Sequence, residues 1–147
     1  FLLGMAPKHL PRLAELAKPG VLAAVGSKCL RVALLTGCAQ SVLAPRINDA
    51  TVRLLTLLRA EVLIPSDTGC CGALTFHMGE QRQSRKLMGH MIEVWHRETE
   101  GDGLDVIVLN TSGCATAVRE YEYLFHYDPK TAEKAKAAVE RVREVRR

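Results

Sequence analysis

The chain has 147 residues, of which 48% are hydrophobic, 24% charged and only 5% aromatic. That is the composition of one globular domain; it excludes a collagenous, disordered or coiled-coil chain and calls for a core of Val, Leu, Ile, Ala and Met, as in layered α/β domains. The formal net charge of +4 owes much to the tail arginines Arg141, Arg143, Arg146 and Arg147, which alternate with Glu140 and Glu144 and have no aromatic or glycine-rich recognition motif beside them. They read as a solvated helical face, and no nucleic-acid partner is expected.

In chain order, the opening Phe1-Leu2-Leu3-Gly4-Met5 lacks the basic flank of a secretory signal, and Lys8 and Pro11 interrupt any apolar region behind it. It reads as the interior of a longer polypeptide. Leu10, Leu13, Leu16 and Ala17, closed by Pro19-Gly20, suggest a preceding helix or a linker over 1–29. Three short apolar runs then read as buried strands: Leu30 to Thr36, Ala60 to Pro65 and Asp105 to Asn110. Helical stripes lie between and after them. Ile47, Thr51, Leu54, Leu55 and Leu58 form one; Met88, Met91, Ile92 and Trp95 the next; Ala117, Val118, Tyr121, Leu124 and Phe125 the third.

Strands alternating with helices predict a small doubly wound α/β domain over 30–128, a Rossmann-like parallel sheet with helices on both faces. Residues 129–147 read as a charged connecting helix whose thin stripe, Ala135, Ala138, Val142 and Val145, is expected to join domains rather than enter the core. No apolar run approaches the roughly 20 residues of a transmembrane helix.

Five cysteines are an uneven set, a poor disulfide framework that fits a reducing compartment. Cys38 follows the first strand in Thr36-Gly37-Cys38, Cys70 and Cys71 follow the second in Gly69-Cys70-Cys71-Gly72, and Cys114 follows the third in Ser112-Gly113-Cys114. All four occupy strand-to-helix loops, which in a parallel sheet emerge at the carboxyl edge where ligand sites form. Cys29 precedes the first strand, some nine residues or about 25–30 Å of extended chain from Cys38, and is expected at the opposite edge as a free structural thiol.

Four converging thiolates suit a soft metal, either a tetrahedral zinc or an iron–sulfur cluster. The plain alternative is that they are buried small apolar residues. A thioredoxin-like dithiol lacks its Cys-x-x-Cys, a tyrosine-phosphatase loop is one residue out of register at Arg119, and no Gly-x-Gly-x-x-Gly marks a dinucleotide site.

Thr36-Gly37-Cys38, then Gly-Cys-Cys-Gly-Ala-Leu-x-x-His at 69–77, then Asn-x-Ser-Gly-Cys at 110–114, resembles the cysteine-rich CCG domain. Such domains occur in glycolate oxidase iron–sulfur subunits, heterodisulfide reductases of the subunit-B type and lactate-utilisation proteins. The stretch from about Arg31 to Phe125 is most similar to the first of the two such domains in the glycolate oxidase subunit.

The resemblance implies an iron–sulfur electron-transfer domain of the 4Fe-4S type held by Cys38, Cys70, Cys71 and Cys114, with zinc as the alternative. It would relay electrons from flavin-containing dehydrogenase subunits, beside a ferredoxin-like domain of the same complex, toward a membrane acceptor. It further implies a cytoplasmic location, at the inner face of the membrane through the complex. The isolated domain is not expected to oxidise glycolate.

One departure is visible. The fuller family motif ends Cys-x-x-Cys, whereas this chain has Cys114-Ala115-Thr116-Ala117, so the five-thiolate arrangement is not complete. An adjacent Cys70-Cys71 pair is awkward for one small tetrahedral ion, which favours a cluster over zinc. His77 matches the family histidine and is a candidate supporting donor, while Thr111 and Ser112 are candidate hydrogen-bond donors to cluster sulfurs. Asn110 is expected to close its strand, and His90, His96 and His126 to be surface residues. Rival readings are a docking module with a zinc-bound or empty cysteine site, and a thiol-redox module using Cys70 and Cys71.

Overall fold

The computed structural model describes residues 10–145. The opening Phe1 to Met5 and the terminal Arg146 and Arg147 lie outside the described residues. The elements in chain order are β1 (Gly20–Leu22), β2 (Leu30–Leu35), α1 (Cys38–Leu43), α2 (Pro45–Leu57), β3 (Ala60–Ile64), α3 (Ala73–His77), α4 (Gln81–Glu100), β4 (Val106–Leu109), α5 (Ser112–Arg119), α6 (Tyr121–Phe125), α7 (Ala132–Arg141) and β5 (Val142–Glu144). The fold is α/β, with one five-stranded sheet of order β1-β3-β2-β4-β5.

The three predicted strands are β2, β3 and β4, and they form the parallel centre of the sheet. Strand β2 lies between the other two, so the chain leaves it first toward β3 and then crosses back over it to β4. The carboxyl end of β2 is therefore a topological switch point, the place where open parallel sheets form their crevice.

Alternate residues of these strands feed two cores, as the strand period requires. Ala33, Leu35, Ile107 and Leu109 pack with Met88, Met91, Ile92 and Trp95 of α4, Val118 of α5, and Tyr121 and Phe125 of α6. Val32, Leu34, Val62, Ile64 and Val108 pack on the other face with Val52 of α2.

The sequence expectation differs from the structure in four places. Of the two readings for the start, helix or linker, residues 10–19 take the linker, and they lead into an unexpected β1, an antiparallel edge strand on β3. The segment cannot continue as a free helix because Asp49 of α2 captures its backbone: the carboxylate accepts the amides of Glu15, Leu16 and Ala17, each at 2.9 Å.

At the other end, α7 enters the core. Ala135, Ala138 and Val142 are buried in the larger cluster, and Val142–Glu144 turns into β5, parallel to β4. Small alanines gave a thin stripe because α7 packs close, and β5 is too short to register as a period.

The third stripe is broken at Glu120 into α5 and α6. Finally, the buried face of α2 is Pro45, Asn48, Thr51 and Val52, with Leu55 partly buried, whereas Ile47, Leu54 and Leu58 are exposed. The expected stripe shares Thr51 and Leu55 with the true face but is rotated away from it, because polar Asn48 holds a central position there.

Two predictions test this arrangement. Val52→Ala, at a buried site, should cost about 2 kcal/mol, while Leu54→Ala, at a residue 49% exposed, should stay within about 0.5 kcal/mol; urea denaturation compares them, and equal costs would contradict the helix phase. Burial opposes ionisation of Asp49, but the three amide donors outweigh it and hold its carboxyl below the usual value of 3.8. A lowered folded value means the anchor is present above the unfolded pKa and lost as pH falls through the folded one. Hydrogen exchange at the amides of residues 15–17 should therefore lose protection on acidification below about pH 4, and Asp49→Asn should show little such change.

Candidate metal centre

Residues around the switch point assemble from three loops. Cys38 opens α1 after β2, Cys70 and Cys71 lie in the loop from β3 to α3, and Cys114 sits in the first turn of α5 after β4. In-register pairing of Leu35 with Leu109 sets the first and third loops side by side. Gly37 fits between them with φ +70°, and a Cβ there would stand 3.6 Å from the Thr111 hydroxyl and 3.8 Å from the Cys114 sulfur.

The structure brings all four predicted cysteines together and leaves Cys29 apart. The Cys38 and Cys70 sulfurs are 3.4 Å apart. Cys71 faces Cys114, and Cys114 has Cys70 and Cys38 as further neighbours. Cys29 is exposed just before β2, at the amino end of the sheet, with its amide on the Arg59 carbonyl.

The two pairs differ in surroundings. Cys38 is exposed and Cys70 half-buried, whereas Cys71 is 3% exposed and Cys114 half-buried. Hydrogen bonding from Cys114 brings Cys71 down to about 6 against the opposing effect of burial, helped by the Ala73 amide. The same pairing, together with burial, pushes Cys114 far up. Burial raises Cys70 to about 11, although the Gly72 amide donates to its sulfur at 3.4 Å.

The Cys-Cys-Gly turn is clamped from below. Gly72 adopts φ +79°, and a Cβ on it would come within 2.9 Å of Met88 and 3.0 Å of the Ser84 carbonyl. Its own carbonyl accepts the Ser84 and Thr75 hydroxyls at 2.9 Å each. The buried Tyr121 hydroxyl donates to the Cys71 carbonyl at 2.7 Å. Ahead of the cysteines, His90 Nε2 meets the Asp67 carbonyl at 2.7 Å and Arg97 grips the Asp67 carboxylate through two nitrogens. His90 is therefore exposed but structural.

Behind the thiols lies a polar network that sequence reasoning missed. Asn48, 1% exposed, donates to the Thr36 carbonyl at 2.9 Å and accepts from Gln40 at 2.7 Å and from Asn110 at 3.0 Å. Asn110 also donates to the Thr51 hydroxyl and accepts from Gln40. The signal in the sequence was Gln40 and Asn110 standing near strand ends; Asn48, inside α2, gave none.

Thr111 belongs to this network, since its hydroxyl donates to Gln40 Oε1 at 2.8 Å. The expected bond from Thr111 to a sulfur is thus replaced by one that fixes the loop. Ser112 is exposed at the start of α5. His77 is exposed at the end of α3 and packs edge-on against Phe76. It lines a cleft of about 230 Å³ with Ala73, Met88, Ala117 and Glu120, where Ala117 occupies the position of the missing fifth cysteine.

Among the described residues, no three His, Cys, Asp or Glu side chains are set to hold a single metal ion. The donor set is nonetheless that of a soft, thiolate-bound group: four sulfurs and no carboxylate, with backbone amides directed at Cys70 and Cys71.

The family model for the cysteine-rich CCG domain matches residues 32–119. The chain is a member of that family. It is 32% identical over 127 residues to the "Probable glycolate oxidase iron-sulfur subunit" of Bacillus subtilis, covering 86% of this chain and 28% of that protein. It is 36% identical over 110 residues to the glycolate oxidase iron-sulfur subunit of Escherichia coli, covering 75% and 27%. It is 32% identical over 116 residues to lactate utilization protein A of Bacillus subtilis, covering 79% and 46%. The chain thus spans less than half the length of these relatives. No solved structure shows a significant match. The family and these relatives support an oxidoreductase-associated iron–sulfur domain.

Two substitutions probe the CCG site. Asn48→Ala should cost about 1–3 kcal/mol, because it strands the half-buried partners Gln40, Asn110 and the Thr36 carbonyl; thermal unfolding checks it, and a loss below about 0.5 kcal/mol would contradict the network. Gly72→Ala should cost more than about 2 kcal/mol, combining the left-handed backbone with the contact on Met88 and Ser84. Rescue by Met88→Ala should be partial, since the backbone strain remains.

Proposed function

We propose that this CCG domain is an electron-relay module in which Cys38, Cys70, Cys71 and Cys114 hold one iron–sulfur cluster of the 4Fe-4S type. The convergence of four thiols from three successive strand-to-helix loops, with no oxygen ligand among them, carries this reading. The spread into two pairs supports a multinuclear group over a single zinc ion.

When bound, such a cluster takes up and passes on single electrons. The chain supplies the rest. The four sulfurs ligate; the Gly72 and Ala73 amides donate toward Cys70 and Cys71 and so favour the reduced state; Tyr121 and the Gly72 clamp hold the Cys71 backbone; and burial of Cys71 keeps water from half of the site.

In the assembly that the family resemblance implies, the donor would be a flavin-containing dehydrogenase subunit, with a ferredoxin-like domain alongside and an acceptor at the membrane. In that assembly the domain would lie in the cytoplasm, at the inner membrane face through its complex. No helix among the described residues is long and apolar enough to cross a membrane. The 2-hydroxy acid oxidised would be glycolate, as for the first two relatives.

Anaerobic purification followed by iron, sulfide and zinc analysis tests the reading. Iron and sulfide near about four each per chain with broad visible absorption are expected for such a cluster; about one zinc and no sulfide would sink it. Serine at Cys38, Cys70, Cys71 or Cys114 should lower the iron content, whereas Cys29→Ser should leave it unchanged.

A further inference from the structure

We propose that the cluster-free domain carries a reversible redox lock, a Cys38–Cys70 disulfide formed by exchange with a low-molecular-weight disulfide, which withdraws two of the four ligands and blocks cluster loading. The inference rests on the ligand set of the preceding section and adds its regulation.

Geometry selects the pair. The Cys38 and Cys70 sulfurs already touch at 3.4 Å, and a bond of about 2.05 Å requires them to approach by little more than 1 Å. Both sit where such a movement is cheap: Cys38 at the exposed first turn of the six-residue helix α1, Cys70 in a loop directly after Gly69. The neighbouring pair Cys70-Cys71 is the poorer choice, because a bond between adjacent residues closes a small ring across one planar trans peptide. Cys71 and Cys114 also face each other, but Cys71 is 3% exposed and its carbonyl is held by Tyr121, so a soluble disulfide cannot reach it. The thiol-redox reading from sequence thus moves from Cys70 with Cys71 to Cys70 with Cys38.

The exchange balances without any metal. The exposed Cys38 sulfur attacks one sulfur of RS–SR, forming a mixed disulfide and expelling RS⁻. Cys70 then attacks the Cys38 sulfur of that mixed disulfide and expels the second RS⁻. Two protein thiols are oxidised by two electrons, RS–SR is reduced, and the two thiol protons leave on two RSH. A dithiol reductant runs the sequence backwards. The lock would also shield the exposed Cys38 from irreversible oxidation while the site waits for its cluster.

The test uses the full chain carrying Cys29→Ser, which removes the exposed bystander thiol. Cluster-free, reduced protein is treated with glutathione disulfide, alkylated under denaturing conditions and mapped as non-reduced peptides. A Cys38–Cys70 linked peptide is expected, with Cys71 and Cys114 recovered alkylated. Anaerobic reconstitution of the oxidised protein with iron and sulfide should then fail unless dithiothreitol is added. Cys38→Ser and Cys70→Ser should each abolish the link, and oxidation in denaturing urea should lose the selectivity.

Recovery of Cys38 and Cys70 as separate glutathione adducts would overturn the proposal, as would a dominant Cys70–Cys71 or Cys71–Cys114 link. So would normal cluster loading of the linked protein. Failure of the iron–sulfur reading has a different signature: the fully reduced protein would take up no iron and sulfide, whatever the peptide map shows.

Discussion

The buried side-chain amide of Asn48 is the constraint on which the cysteine site depends. It lies on α2, yet its hydrogen bonds go to Thr36 at the end of β2, to Gln40 in α1 and to Asn110 at the end of β4. These groups lead directly into the loops of Cys38 and Cys114. A parallel sheet aligns its strand ends but does not fix the loops beyond them, and each such loop carries backbone groups that the ladder no longer satisfies. Here the Asn48 amide satisfies the Thr36 carbonyl of one loop, and with Gln40 it ties down the Asn110 and Thr111 side chains of the other. Because the network is buried and connected, loss of any member leaves the others unpaired, so it acts as a unit.

The third loop is held by a separate device. Gly72, Ser84, Thr75 and Tyr121 fix the turn itself, while His90 and Arg97 fix the approach to it through Asp67. Most of these partners come from α4 and α6, on the opposite face of the sheet from α2. The crossover from β3 to β4 carries α4 over the sheet, so the switch in chain direction that creates the crevice also delivers the helix that clamps its third wall. The site is therefore fastened from both faces, by a polar network on one and a glycine-dependent clamp on the other.

What could be read from the residues follows from what each signal measures. Apolar runs report burial on both faces, and β2, β3 and β4 were legible for that reason. The cysteine loops were legible because chain order alone places strand-to-helix loops at one edge of a parallel sheet. Asn48 misled because polarity is ordinarily a mark of the solvent face, and here it marks a site where strand ends need donors. Edge strands β1 and β5 have three residues each, too few for a period, and their pairing depends on tertiary contacts that no local pattern encodes. Thr111 was placed near the thiols correctly by position, but its hydrogen-bond partner depended on Gln40, seventy-one residues away.

The two cysteine pairs consequently stand on unequal footing. Cys71 and Cys114 are backed by core: Tyr121 holds one backbone, and α5, with Ala115 and Val118 buried, carries the other. Cys38 and Cys70 project from the outer side, and between themselves they have a sulfur contact and little else. A rigid inner pair sets where a bound group sits, because its position is paid for by folding rather than by binding. An outer pair with fewer contacts can adjust to what arrives, and its sulfur contact lets it close on itself when nothing does. Ligand function and oxidative closure are thus two outcomes of one feature, the contrast between an inner pair anchored on buried Cys71 and an outer pair that ends on exposed Cys38.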